Sequence, residues 1–177
     1  VSEQERIIDY VTRTFLRSRR YIHVDCVDTM QSMQPLGSGS FGTVFKYSPA
    51  NSHDCACKVF ASHMSLKFIK NELAIIGLEH ENIVRHERAI VFTHDSESPR
   101  LGMLMELVNT DLFDYVASKQ FKLAPKTIHT FTHHLLKGLE YLRNQQIVHR
   151  DIKFENLLVQ NPDHPTVVLK IADFGLA

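Results

Sequence analysis

Apolar positions in this chain switch between two spacings, and each switch marks an element. Ile7, Ile8, Val11 and Phe15 recur at helical spacing. They predict a helix opened by a Ser2-x-x-Glu5 capping box and running to about Arg20, with Arg17, Arg19 and Arg20 suiting its negative end. From Met33 the pattern changes. Thr43-Val44-Phe45-Lys46-Tyr47 is rich in β-branched and aromatic residues and predicts a strand. A turn at Ser48-Pro49-Ala50-Asn51-Ser52 separates it from a second strand, Cys55 to Phe60. Leu66, Ile69, Leu73 and Ile76 step by three and four, predicting an amphipathic helix over about 65–78. Ile83 to Phe92 and Leu101 to Val108 read as strands joined by a turn at 94–99. Pro125 opens a long helix whose Ile128, Phe131, Leu135, Leu139 and Leu142 run down one side, and Ile147-Val148 follow it. Leu157-Leu158-Val159 and Val167 to Ile171 are the last strands. No Pro- or Ser-rich linker and no internal repeat interrupts this order.

Composition narrows the class. The 177 residues suit one domain or slightly more, and 44% apolar with 23% charged residues suffices for a core. Twenty basic residues balance twenty acidic ones, so global charge gives no argument for nucleic acid. No apolar run reaches the roughly 18 residues of a membrane span, and the early charges are unlike a secretory signal. Cys26, Cys55 and Cys57 are an odd count. Cys55 and Cys57 share one face of a strand, too few ligands for a metal, which predicts reduced thiols in a cytoplasmic or nuclear protein. His133 and His134 are adjacent in a helix, where neighbours diverge, so no zinc site is expected there.

The candidate chemistry lies in three stretches. In His149-Arg150-Asp151-Ile152-Lys153-Phe154-Glu155-Asn156, one short polar loop carries a proton acceptor, a cation and a metal-capable amide. In Gly37-Ser38-Gly39-Ser40-Phe41-Gly42, glycines let backbone N–H groups approach an anion. The loop leads into a strand rather than a helix, which makes it a hairpin over phosphates and not a Rossmann turn. Asp173-Phe174-Gly175 places a carboxylate at the end of a buried strand. Lys58 lies inside an apolar strand and needs an anionic partner or a surface position.

These stretches, in this order, resemble the eukaryotic serine/threonine protein kinases over about Met33 to Ala177. The resemblance implies an α+β, protein-kinase-like fold: an antiparallel β N-lobe with one main helix, then the first, mainly helical part of a C-lobe. It implies an N-terminal helical extension over 1–32, an N-lobe with hinge over 33–108 and a partial C-lobe over 109–177. ATP and Mg²⁺ are the implied cofactors and a protein the implied substrate, with neither nucleic acid nor membrane as partner. Asp151 is then the proton acceptor and Lys153 the cation beside the transferred phosphoryl. Lys58 contacts the phosphates and is paired with Glu72. Leu36, Gly37, Ser38, Gly39, Ser40, Phe41, Gly42 and Val44 cover the nucleotide. Ala56, Met105 and Leu158 enclose the adenine, Glu106 and Val108 offer it backbone groups, and Asp111 reaches the ribose. Asn156 and Asp173 hold the metal, and Arg150 pairs with a phosphorylated activation loop. Phe154 replaces the usual proline, and Asn109-Thr110 replaces the usual glycines after the hinge. The chain stops two residues past Gly175. The accompanying expectation is poor activity for the 177 residues alone, with an apolar underside that a partner protein covers. A nucleotide-binding regulator and a small-molecule kinase are the alternatives. The first helix is either a regulatory or docking element or a packing extension.

Overall fold

A computed structural model of the chain describes residues 3–15, 21–25, 33–49, 53–94 and 97–177. Contacts divide it into two compact units, Val1–Gly77 with His86–Leu107, and Leu78–Arg85 with Val108–Ala177.

The first unit is built on one sheet. Its strands are β1 (Tyr21–Asp25), β2 (Gln34–Gly39), β3 (Gly42–Tyr47), β4 (Cys55–Phe60), β5 (His86–His94) and β6 (Glu97–Glu106), in the spatial order β1-β5-β6-β4-β3-β2. From β2 to β5 all neighbours are antiparallel. The sequence reading had no β1. It adds a parallel edge to β5, from Tyr21 opposite Ala89 to Asp25 opposite Thr93. Tyr21, Ile22 and Val24 are strand formers, and the edge of β5 offers them unpaired backbone groups. The segment read as a helical extension therefore includes a strand. Its helix, α1 (Glu3–Phe15), is described only to Phe15, so Ser2, Arg17, Arg19, Arg20 and Cys26 lie outside the described residues.

The sheet has two apolar faces. On one, Met33, Cys55, Cys57, Val59, Ile90, Phe92 and Leu104 form a cluster. Burial pushes the Cys55 thiol up to about 11 and Cys57 up to about 12, so both are neutral packing groups. On the other, Phe60, Val91, Leu101 and Met103 meet Ile7 and Val11 of α1 and Ile69, Leu73 and Ile76. Helix α2 (Leu66–Ala74) is shorter than expected. The Ser65 hydroxyl caps it by accepting the Phe68 N–H at 3.3 Å, and Gly77, at φ 93°, turns the chain away beyond it. The strands also differ from the expected bounds. β5 begins at His86, because Ile83 and Val84 belong to the second unit, where the Val84 N–H donates to the Ile171 carbonyl at 2.9 Å. At its other end β5 runs to His94 and β6 starts at Glu97, so both strands reach into the stretch expected as a turn at 94–99.

In the second unit, β7 (Thr110–Asp111), β8 (Leu157–Gln160) and β9 (Val168–Ile171) form a small antiparallel sheet. Helices α3 (Leu112–Ser118) and α4 (Pro125–Asn144) and a 3-10 turn (Phe154–Asn156) complete it. Pro125 stands in the first turn of α4, where its missing N–H costs nothing. Phe131, Gly138 and Leu142 are buried, whereas Ile128, expected on the same side, is 52% exposed. The reason is the close approach at Gly138. A Cβ there would lie 2.8 Å from Ile171 Cδ1 and 3.0 Å from the Asn82 carbonyl oxygen. That contact sets the inward side of α4, and Ile128 falls at its rim. Leu136 is 60% exposed and, with Leu139 and Arg143, lines a groove of about 510 Å³.

Candidate active site

In the first unit, the charge lies at the centre of β4. All six residues of this strand are buried, Lys58 among them. A buried ammonium must be neutralised by a neighbour. On α2, Ile69, Glu72 and Leu73 share one helical stripe, so the apolar packing that buries Ile69 and Leu73 also turns Glu72 inward. The Lys58 Nζ donates to Glu72 Oε1 at 2.5 Å, with the two side chains 9% and 1% exposed. The ring faces of Phe60 and Phe68 lie 5.9 and 5.8 Å from the same ammonium. Phe68 in turn stacks on Phe41 at the tip of the glycine hairpin, with centroids 4.9 Å apart. The hairpin glycines have different reasons to be glycine. Gly42, at φ 147°, would place a Cβ 2.2 Å from the Val59 carbonyl oxygen, so the fold itself requires it. A Cβ on Gly37 or Gly39 would meet nothing within 4 Å. Protein packing does not demand those two, which leaves room for a ligand to approach the backbone. Leu36, Ser38 and Ser40 are exposed along the same hairpin, Val44 is opposite Lys58, and Ala56 is opposite Met105.

In the second unit, a single loop gathers the predicted residues. Asn156 Nδ2 donates to both the carbonyl and the carboxylate Oδ2 of Asp151, each at 2.9 Å. Lys153 Nζ lies 3.1 Å from the same Oδ2. The Asp151 carboxylate beside it, accepting its hydrogen bond, holds the Lys153 ammonium above the usual lysine range. The loop is anchored from below by His149, which is 3% exposed. Its Nδ1 accepts the Asp151 N–H at 3.2 Å and its Nε2 pairs with the Ala172 carbonyl at 2.8 Å, which selects the tautomer protonated on Nε2. The Ala172 N–H donates to the Asn156 carbonyl at 2.9 Å, and Phe174, fully buried, packs edge-on to the His149 ring at 4.9 Å. The loop and the Asp173 triplet are thus tied at backbone and side chain. Arg150 and Asp173 sit at φ 66° and 62°, sparsely populated for residues with a Cβ. Each outlier costs about 1–3 kcal/mol and flanks or is a residue singled out for chemistry.

A family profile described as a protein kinase domain matches residues 30–177. The chain belongs to the protein kinase domain family. Among curated relatives, cyclin-dependent kinase 14 of Xenopus laevis is 36% identical over 155 residues, 85% of this chain and 34% of that protein. Cyclin-dependent kinase 14 of Oryctolagus cuniculus and of Homo sapiens are also 36% identical over 155 residues, 85% of this chain and 31% of each relative. The chain spans about a third of the length of the curated relatives it matches. The family's α+β fold agrees with the antiparallel sheet, the helix packed on it and the helical second unit described above.

The other predicted positions divide between the two units. Met105 and Glu106 end β6, and Met105 is buried in the first unit. Val108 is half-buried, and Leu158 is half-buried in β8 opposite Asp111. Asp111 has a local task, since its Oδ1 accepts the Asp114 N–H at 2.8 Å as the cap of α3. Among the described residues no group of three or more His, Cys, Asp or Glu could hold a metal ion by itself. The donors present still fit a hard cation carried on phosphate, because Mg²⁺ takes one or two protein oxygens and fills its shell from phosphates and water. Asn156 and Asp173 supply such oxygens. Sequence reading gave no role to His149, Phe174, Asn82 or Gly138. His149 and Phe174 stand inside the quoted motifs. Asn82, fully buried, donates to the Leu169 carbonyl at 3.0 Å and accepts the Ile171 N–H at 2.9 Å, a long-range role without a local signature.

Proposed function

We propose that the natural protein is an ATP-dependent serine/threonine protein kinase that moves the γ-phosphoryl of ATP to a protein hydroxyl. The observation that carries this reading is the Asp151 carboxylate, pinned by both Asn156 and Lys153 in one loop. Asp151 accepts the proton of the substrate hydroxyl and aims its oxygen at the γ-phosphorus. The new O–P bond forms as the bond to the ADP oxygen breaks. Lys153 offsets charge on the transferred group. Lys58, steadied by Glu72, and the hairpin backbone from Ser38 to Thr43 hold the phosphates. Leu36, Val44, Ala56, Met105 and Leu158 enclose the adenine, Glu106 and Val108 offer backbone groups, and Asp111 caps α3 beside the ribose. Asn156 and Asp173 would hold Mg²⁺, which when bound supplies positive charge against the phosphate oxygens.

Serine/threonine preference follows from Lys153 between Asp151 and Asn156, the residue by which the loop resembles that branch. The relatives are cyclin-dependent by name, and in this chain such control would act on α2, which carries Glu72. A cytoplasmic or nuclear setting is supported by the two buried, free thiols. No helix of the described residues is long and apolar enough to cross a membrane. The test is transfer from γ-labelled ATP to a protein acceptor. Asp151→Ala should lose about 10²–10⁴-fold in turnover with ATP binding retained. Equal turnover would remove Asp151 from the chemistry.

A further inference from the structure

Helix α2 has nine residues. A helix that short is marginal in water and depends on what it packs against, since isolated helices need about 12–15 residues. It also has no acidic residue in its first turn to match its N-terminal dipole. Helix α1 meets both needs, and it does so along the whole length of α2. At the start, the Glu3 carboxylate accepts the Leu66 N–H at 3.4 Å, one of the donors that the helix itself cannot satisfy. In the middle, the Lys70 ammonium lies over the Tyr10 ring, 4.4 Å from its centroid. Beneath, Ile7 and Val11 share one apolar cluster with Ile69, Leu73 and Ile76. The opposite end of this chain of contacts is Glu72, whose carboxylate fixes Lys58.

We propose that α1 is a built-in positioning element for the Lys58–Glu72 pair. It holds α2 in the inward position from within the same chain, through Glu3, Tyr10, Ile7 and Val11. Glu3, Tyr10 and Val11 are positioning residues: they touch no nucleotide and act through Glu72 and Lys58. Losing their contacts lets α2 swing or fray, and Lys58 loses its steady hold on the phosphates. The adenine side is unaffected. This inference rests on the reading of Lys58 as the phosphate lysine.

The test uses the 177-residue chain with a fluorescent ATP analogue and Mg²⁺, competed by ATP or by adenosine. The Glu3→Gln/Tyr10→Ala double variant spares the buried core, and a thermal melt confirms that it folds. It should weaken ATP about tenfold while adenosine changes by less than about twofold, within the usual range of site-to-site coupling. Tyr10→Phe keeps the ring and should keep ATP affinity. In a Lys58→Met background the double variant should add no further loss. Equal loss of ATP and adenosine, no loss at all, or a full additional loss in Lys58→Met would each overturn the role of α1 while leaving Lys58 in place. If Lys58→Met alone spares ATP, the phosphate assignment fails and takes this inference with it.

Discussion

Glu72→Ala is the perturbation that separates structure from chemistry most sharply. It leaves the Lys58 ammonium in a position only 9% exposed, without the carboxylate 2.5 Å away. Removing one partner of a buried pair costs about 3–5 kcal/mol, because the remaining buried charge loses its hydrogen-bonded counter-charge. The Phe60 and Phe68 rings near Nζ offset part of this, about 1 kcal/mol. A loss of about 3 kcal/mol is therefore expected, roughly 100-fold in the folded-to-unfolded ratio. Urea unfolding followed by far-UV circular dichroism without nucleotide reads it. With a slope of about 2 kcal/mol/M, the midpoint should fall by about 1.5 M. The Lys58→Met/Glu72→Leu variant should recover most of that stability, since an apolar pair of similar volume avoids the desolvation cost. It should still fail to bind ATP phosphates. A Glu72→Ala change under about 0.5 kcal/mol, or a double variant no more stable than the single one, would refute the reasoning.

Other outcomes follow from individual contacts. Gly39→Ala should leave stability within about 0.5 kcal/mol yet weaken ATP, whereas Gly42→Ala, with a Cβ 2.2 Å from the Val59 oxygen, should unfold the hairpin side of the sheet; thermal melts and ATP titrations distinguish them. Gly138→Ala gains up to about 1 kcal/mol of helix propensity but overpacks Ile171 and the Asn82 carbonyl, for a net loss of about 1 kcal/mol that Ile171→Val should partly relieve in urea unfolding. Burial lowers the proton affinity of His134, whose Nδ1 accepts the Leu169 N–H at 3.2 Å. The unfolded chain then binds more protons just below the ordinary histidine value, so stability is complete above about pH 6.5 and is lost as pH falls through that value. His134→Gln should flatten the slope of the unfolding midpoint across that window.

What was legible in the sequence was what is contiguous. The His149–Asn156 loop, the Asp173 triplet and the glycine hairpin each hold their candidate residues within a few positions, and the structure keeps those residues together. The Lys58–Glu72 pair was also readable, because a lone lysine in an apolar strand needs an anion and Glu72 lies on the apolar stripe of the next helix. Long-range features were not. Strand β1 depends on an open edge supplied by β5 far along the chain, as the pairing of Tyr21 with Ala89 shows. Ile128 fits the helical period of α4, yet the inward side is set by the contact of Gly138 with Ile171 and Asn82. Helix α2 ends early because Gly77 turns the backbone, a conformational effect that apolar periodicity does not record. His149 and Phe174 were visible as letters, but their joint work needs the fold to bring Ala172 and Phe174 against the His149 ring.

The most direct test of the central claim is transfer of labelled γ-phosphoryl from ATP by the natural-length protein, compared between the parent and Asp151→Ala. The account predicts label on serine or threonine of a protein acceptor, lost in Asp151→Ala while Mg²⁺–ATP still binds. Label transfer that persists undiminished in Asp151→Ala would contradict it.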